Sequence, residues 1–230
     1  MKELAGAFAK AAQLIITFDP QVLEVTFRTL RISLTSTIIA GLLCLPFAGI
    51  ISFSNHSGKR AFISFIQTLY SLPTICVGLL VFILFSRSGP FGNAGILFTP
   101  SAMVIAQIIL ISPILLGLTI SGLSSVDKPV KDTAVSLGAS RAQVIWTVIK
   151  EARFSVISGI TMGFGRAISE VGCAIIVGGN IKGFTRILTT SIALETQRGE
   201  LELALALGII LLTMALIINL ALSIVEEKSR

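Results

Sequence analysis

Residues 127–152 read DKPVKDTAVSLGASRAQVIWTVIKEA. Pro129 stops the helix that precedes it, and Asp132 is placed to cap a new one whose apolar side carries Ala134, Val135 and Leu137. Gly138 then turns the chain. A second amphipathic piece starts at Ser140, with Val144, Ile145 and Val148 at helical spacing while Arg141, Gln143 and Lys150 stay wet. The stretch is a short helix, a glycine turn and a second helix that returns to an apolar environment. It stands between long apolar runs, so it stays out of the membrane only if a partner grips it from the water side.

Composition sets that environment. Of 230 residues, 53% are hydrophobic and 13% charged, against about 25% charged in an average soluble domain. The fold class expected is an all-α polytopic membrane protein. The net charge of +6 resides in short loops between apolar runs and makes no stripe on a soluble face, so the partner is the lipid bilayer and not nucleic acid. Cys44, Cys76 and Cys173 fall unevenly inside apolar segments and read as buried packing thiols, with neither a disulfide frame nor a zinc site. His56, the sole histidine, lies in a polar turn between Asn55 and Ser57 and reads as solvated, so no metal is expected.

Working outward, the apolar runs on either side of this stretch are long enough to span. The one before it, 100–123, holds Gln107, Ser112 and Pro113. The one after it, 154–177, carries a small-residue ridge of Ser155, Gly159, Gly163 and Ala167 that suits close helix packing, at or near an interface between two copies. Beside the ridge, Arg166 and Glu170 stand i,i+4. Two charges at bilayer depth cost several kcal/mol unless paired or hydrated. They read either as an internal ion pair or as a positive potential along an anion route, with Glu170 moderating the grip of Arg166.

Further out, a span over 61–85 is bent at Ser71-Leu72-Pro73-Thr74, and a span over 24–53 carries Thr29, Ser33, Thr37 and Gly41 on one face. Those hydroxyls read as interhelical glue or as donors lining a path. Residues 178–200 form a basic loop with a helix from Thr185 as cap to Gly199 just past its end, and a fifth span covers 201–225. Residues 1–21 are too short and interrupted to span and read as an amino-terminal interfacial segment lying along a neighbour, leaving 22–230 as the transmembrane domain. With the central loop inside, nine basic residues fall inside and eight outside, which does not orient the chain.

Asp132-Thr133-Ala134 followed by Gly138 resembles the cytoplasmic coupling motif of ABC importer permeases, Glu-Ala-Ala with a glycine four residues on. Val148 holds the family's Ile position, while Lys150 and Glu151 stand where Leu and Pro would be. GRAISEVG at 165–172 and IVGGNIKGFTRILTTSIALETQRGELELALALG at 176–208 look like the molybdate/tungstate branch, more closely its tungstate members, in which KEAR-like residues also replace Leu-Pro. The resemblance runs from about residue 18 onward. It implies the type I permease fold, about five transmembrane helices with a coupling loop at 125–151, in the cytoplasmic (inner) membrane. It implies that Asp132, Thr133, Ala134, Leu137, Gly138 and Arg141 couple to a cytoplasmic ABC ATPase present in two copies. It further implies a second permease copy, making a homodimer, and an extracytoplasmic tungstate-binding protein.

The chain has no phosphate-cradling glycine-lysine loop, so ATP is expected on the partner subunit and the permease needs no cofactor of its own. The translocation path candidates are Thr29, Ser33, Thr37, Arg166 and Glu170, and no residue is catalytic. Molybdate or another oxyanion is the alternative cargo. An ion-coupled secondary transporter is the rival from another class, disfavoured because no inverted repeat surrounds Pro73 and Pro113. A membrane enzyme lacks converging acids, bases or ligands.

Overall fold

The computed structural model describes residues 2–54 and 58–228, and His56 with its turn lies outside them. The described residues are helical or loop. In order they form α1 (Lys2–Ile16), α2 (Pro20–Phe53), α3 (Lys59–Thr68), α4 (Thr74–Phe85), α5 (Pro100–Ser124), α6 (Lys128–Ser136), α7 (Arg141–Glu151), α8 (Arg153–Ile168), α9 (Gly172–Gly178), α10 (Leu188–Gln197) and α11 (Leu201–Lys228). By length and apolarity α2, α5 and α11 each reach across a bilayer, and two bent pairs, α3 with α4 and α8 with α9, bring the number to as many as five.

The centre is α2 against α5 against α8. Ala40 and Cys44 of α2, Ile111 and Leu115 of α5 and Ala167 of α8 share one buried cluster. The small-residue ridge of α8 is consumed here, inside the chain and not between copies. A methyl on Gly163 would stand 3.2 Å from Leu115 Cγ, one on Gly159 3.5 Å from Leu118 Cβ, and one on Gly122 of α5 2.2 Å from Ser155 Cβ. Away from this centre the exposed positions of α2 and α11 are large and apolar, among them Leu42, Phe47, Leu212 and Leu216. Surfaces of that kind are stable only in lipid or against another apolar face.

α1 lies along α11, where Ala11 joins Leu188, Ala206, Leu207 and Ile210. Asp19 accepts from the backbone N–H groups of Gln21 and Val22 at 3.0 Å and Pro20 occupies the first turn, so the pair that ends α1 also starts α2.

The bends differ from the sequence expectation in degree and in kind. At Pro73 the span does not merely kink; α3 and α4 meet at 97°, because a residue before proline is driven into extended backbone and Leu72 sits at ψ 124°. The run 154–177 is not one helix. α8 stops at Ile168 and α9 leaves at 60°. Cys44 and Cys173 are buried as expected, whereas Cys76 is exposed on α4.

Candidate functional site

The stretch 125–151 is built from its own residues. α5 ends at Ser124, and α6 begins at Lys128 with Pro129 in its first turn. Pro129 therefore starts a helix instead of stopping one. Asp127 holds the N-cap position, and Asp132 lies in the body of α6, exposed beside Thr133. The helix closes in a Schellman arrangement: Ala139 N–H donates to Ala134 O at 3.1 Å and Gly138 N–H to Val135 O at 2.9 Å. That geometry needs a left-handed residue, and Gly138 supplies it at φ +79°. Ser140 then caps α7 reciprocally: its Oγ accepts from Gln143 N–H at 3.4 Å while its own N–H donates to Gln143 Oε1 at 2.7 Å.

Val144 and Val148 of α7 turn inward and are buried. Val135 at 61% and Leu137 at 82% exposure point away from the body, beside exposed Arg141 and with Ala134 half-buried. A nine-residue helix with an uncovered apolar edge is marginal by itself in water. Its shape is that of a handle. Lys131 stands over the Phe53 ring at 5.4 Å and ties α6 to the end of α2.

A second set of polar groups lies where α8 gives way to α9, at the break of a bent apolar pair. A helix ending inside apolar surroundings leaves carbonyls and N–H groups without water, each costing several kcal/mol if unpaired. Here several of the corner groups find partners from other helices or from nearby side chains. Gln107 Nε2 donates to Ala167 O at 3.0 Å, and Gln107 Oε1 accepts from Ser36 Oγ at 2.7 Å. Ser169 Oγ donates to Gly165 O at 2.9 Å, and Thr189 Oγ1 of α10 donates to Glu170 O at 2.7 Å. Glu170, 2% exposed, accepts from Cys173 N–H at 2.8 Å and so opens α9.

Glu170 therefore holds the first turn of α9 from the residue before its N-cap, Val171. The i,i+4 pairing with Arg166 read from the sequence does not form, because the helix ends between them. Among the described residues the ion pairs are Arg28 with Glu24 and Arg198 with Glu195. Arg166 is half-buried on α8. Thr29, Ser33 and Thr37 do share a face, and it is buried within the protein. Thr29 Oγ1 donates to Val25 O at 2.7 Å and accepts from Leu188 N–H at 2.9 Å, and Thr37 Oγ1 donates to Ser33 O at 2.7 Å. Thr185, expected as a cap, is spent elsewhere, donating to Gly178 O and accepting from Ile181 N–H, so α10 starts at Leu188.

Sequence reading passed over another set of hydroxyls. Ser121 of α5 and Ser125 just past its end, with Ser155 and Ser158 of α8, line an open cleft of about 380 Å³. It adjoins a hollow of about 210 Å³ at the root of the stretch 125–151, bordered by Asp127, Val130 and Glu151. The signal is present as serines at i,i+4 and i,i+3, one of which, Ser155, also belongs to the small-residue ridge.

The family model described as "Binding-protein-dependent transport system inner membrane component" matches residues 38–230. The tungstate uptake system permease protein TupB of Peptoclostridium acidaminophilum is 40% identical over 228 residues, 99% of this chain and 100% of that protein. A probable anion ABC transporter permease protein of Haloferax volcanii is 37% identical over 203 residues, 86% of this chain and 88% of that one. Among solved structures, a chain of a bacterial alginate ABC transporter, crystallised in complex with an alginate pentasaccharide-bound periplasmic protein, superposes with a TM-score of 0.77 at 20% identity, covering 96% of this chain and 85% of that one. That superposition shows a shared fold.

Proposed function

The chain belongs to the family of binding-protein-dependent transport system inner membrane components, and from that premise we propose that it is the multi-pass permease of an ATP-driven importer whose cargo is tungstate. The observation that carries the reading is the handle. Val135 and Leu137 are exposed apolar groups on a helix closed by a glycine corner, and they are the sort of edge an ATPase groove would cover. Asp132, Thr133, Ala134 and Arg141 surround that edge and would register it. ATP is bound and split on the partner, in two copies, one for each copy of the permease, and this chain needs no cofactor. The assembly sits in the cytoplasmic membrane, with residues 22–230 as the transport unit and 1–21 as an accessory segment.

A tetrahedral dianion crosses without covalent chemistry, needing hydrogen-bond donors in place of water and modest positive charge. Arg166 and the serines along α5 and α8 are exposed enough to offer both, while Thr29 serves the path by fixing α2 against Leu188, with Ser33 and Thr37 buried on the same face. Glu170 acts on it through the position of α9. Tungstate and molybdate share size and charge, so selection between them resides in an extracytoplasmic binding protein that delivers the anion.

The test is co-purification of the chain with its cognate ATPase in lipid discs, followed by ATPase rate with and without tungstate-loaded binding protein. Stimulation is expected, and repetition with molybdate and sulfate sets the range of cargo. Absence of a co-purifying ATPase would overturn the reading.

A further inference from the structure

α5 and α8 are covalently continuous with the coupling stretch and move with it; α2 is not, and anything it receives must pass through contacts. Three of them meet at its inner end. Ala48 and Val148, both fully buried, share one apolar cluster. Lys131 covers Phe53. The tightest is at Gly49, where a methyl would stand 2.8 Å from Ile145 Cγ2 of α7, so Ile145 seats in the space that the missing side chain leaves. Pro46 lies one turn above, inside the same continuous helix.

The far end of the same helix is clamped as well. Arg28 donates to the carbonyls of Gly183 at 2.9 Å and Arg186 at 3.0 Å, and Leu188 N–H donates to Thr29 Oγ1 at 2.9 Å. Thr29 and Gly49 are separated by 20 residues of one unbroken helix, about 30 Å at 1.5 Å per residue, the thickness of a bilayer core.

We propose that Gly49 and Ile145 form the joint through which the coupling stretch drives α2, and that α2 carries the displacement to the loop 179–187 held at its other end. The proposal rests on the reading of α6 and α7 as the ATPase handle. By reciprocity, whatever presses on that loop biases the handle by the same free energy. A packed contact transmits in this way because interiors resist compression.

The whole transporter in lipid discs tests it, with anion moved per ATP hydrolysed as the readout. Gly49→Val is expected to lower that ratio about tenfold in an assembled complex, and adding Ile145→Ala to bring it back within about threefold of the parent. Overpacking is also able to unfold a helix pair, so a second measurement stands apart from it. In a chain with Cys44, Cys76 and Cys173 replaced by Ala, Gly49→Cys with Ile145→Cys is cross-linked across the joint. If the two residues move as one body, transport survives the cross-link. Transport lost on cross-linking and regained on reduction overturns the joint, as does an unchanged ratio in Gly49→Val. Should the parent chain recruit no ATPase, the handle reading itself falls; should the parent couple normally and the variants with it, only the joint does.

Discussion

Two corners of this chain do the same job by opposite means. At Gly138 one helix ends and another begins in water, and every bond that shapes the corner comes from residues 133–143. At 169–171 the same event takes place inside a bent apolar pair, and the corner draws on Gln107 of α5, Ser36 of α2 and Thr189 of α10. The difference follows from the solvent. Water completes a local corner at no design cost, whereas lipid offers nothing to a free carbonyl, so partners must come from other helices.

The largest effect is expected where the remote partners are removed. Gln107→Leu loses both bonds of a fully buried amide and should destabilise the bundle by about 2–4 kcal/mol, read as a fall of roughly 5–10 °C in thermal unfolding. Gly138→Val forces a β-branched residue to φ +79° and should cost about tenfold in transport per ATP, while the unfolding temperature of the bundle moves by less than about 2 °C. At Glu170 the comparison sharpens: Glu170→Gln keeps an acceptor for Cys173 N–H and should stay within about 0.5 kcal/mol of the parent, whereas Glu170→Leu should cost about 1–2 kcal/mol.

Ser140→Ala removes only a local cap and should cost about 0.5–1 kcal/mol, visible as faster amide exchange in α7 and none in α9. Smallest is the coupling between Arg166 and Glu170. A double-mutant cycle with alanine at both positions should return an interaction below about 0.5 kcal/mol, since the two side chains make no pair; a larger value would restore the ion-pair reading.

The same contrast explains what the sequence disclosed. Gly138, Ser140 and the apolar positions of α7 could be placed from their neighbours alone, because the bonds they make are local. Pro73 announced its bend, since a proline restricts the residue before it wherever it stands. The break after Ile168 carried no such mark. Ridge spacing and the Arg166–Glu170 interval both read as continuous helix, and the groups that hold the break open are 60 residues back at Gln107 and 19 residues on at Thr189. For α2 the shared face of Thr29, Ser33 and Thr37 was legible and its direction was not, because the N–H that engages Thr29 belongs to Leu188. Thr185 was misplaced as a cap for a related reason: its oxygen is taken by the turn around Ile181.

Cys76 opens an experimental route. Cys44 and Cys173 are sealed inside the bundle while Cys76 is exposed three residues beyond Pro73. The native chain thus carries one addressable thiol on the arm that leaves the sharpest bend, and a spin label or fluorophore attached there would track that arm through a turnover cycle with no residue altered.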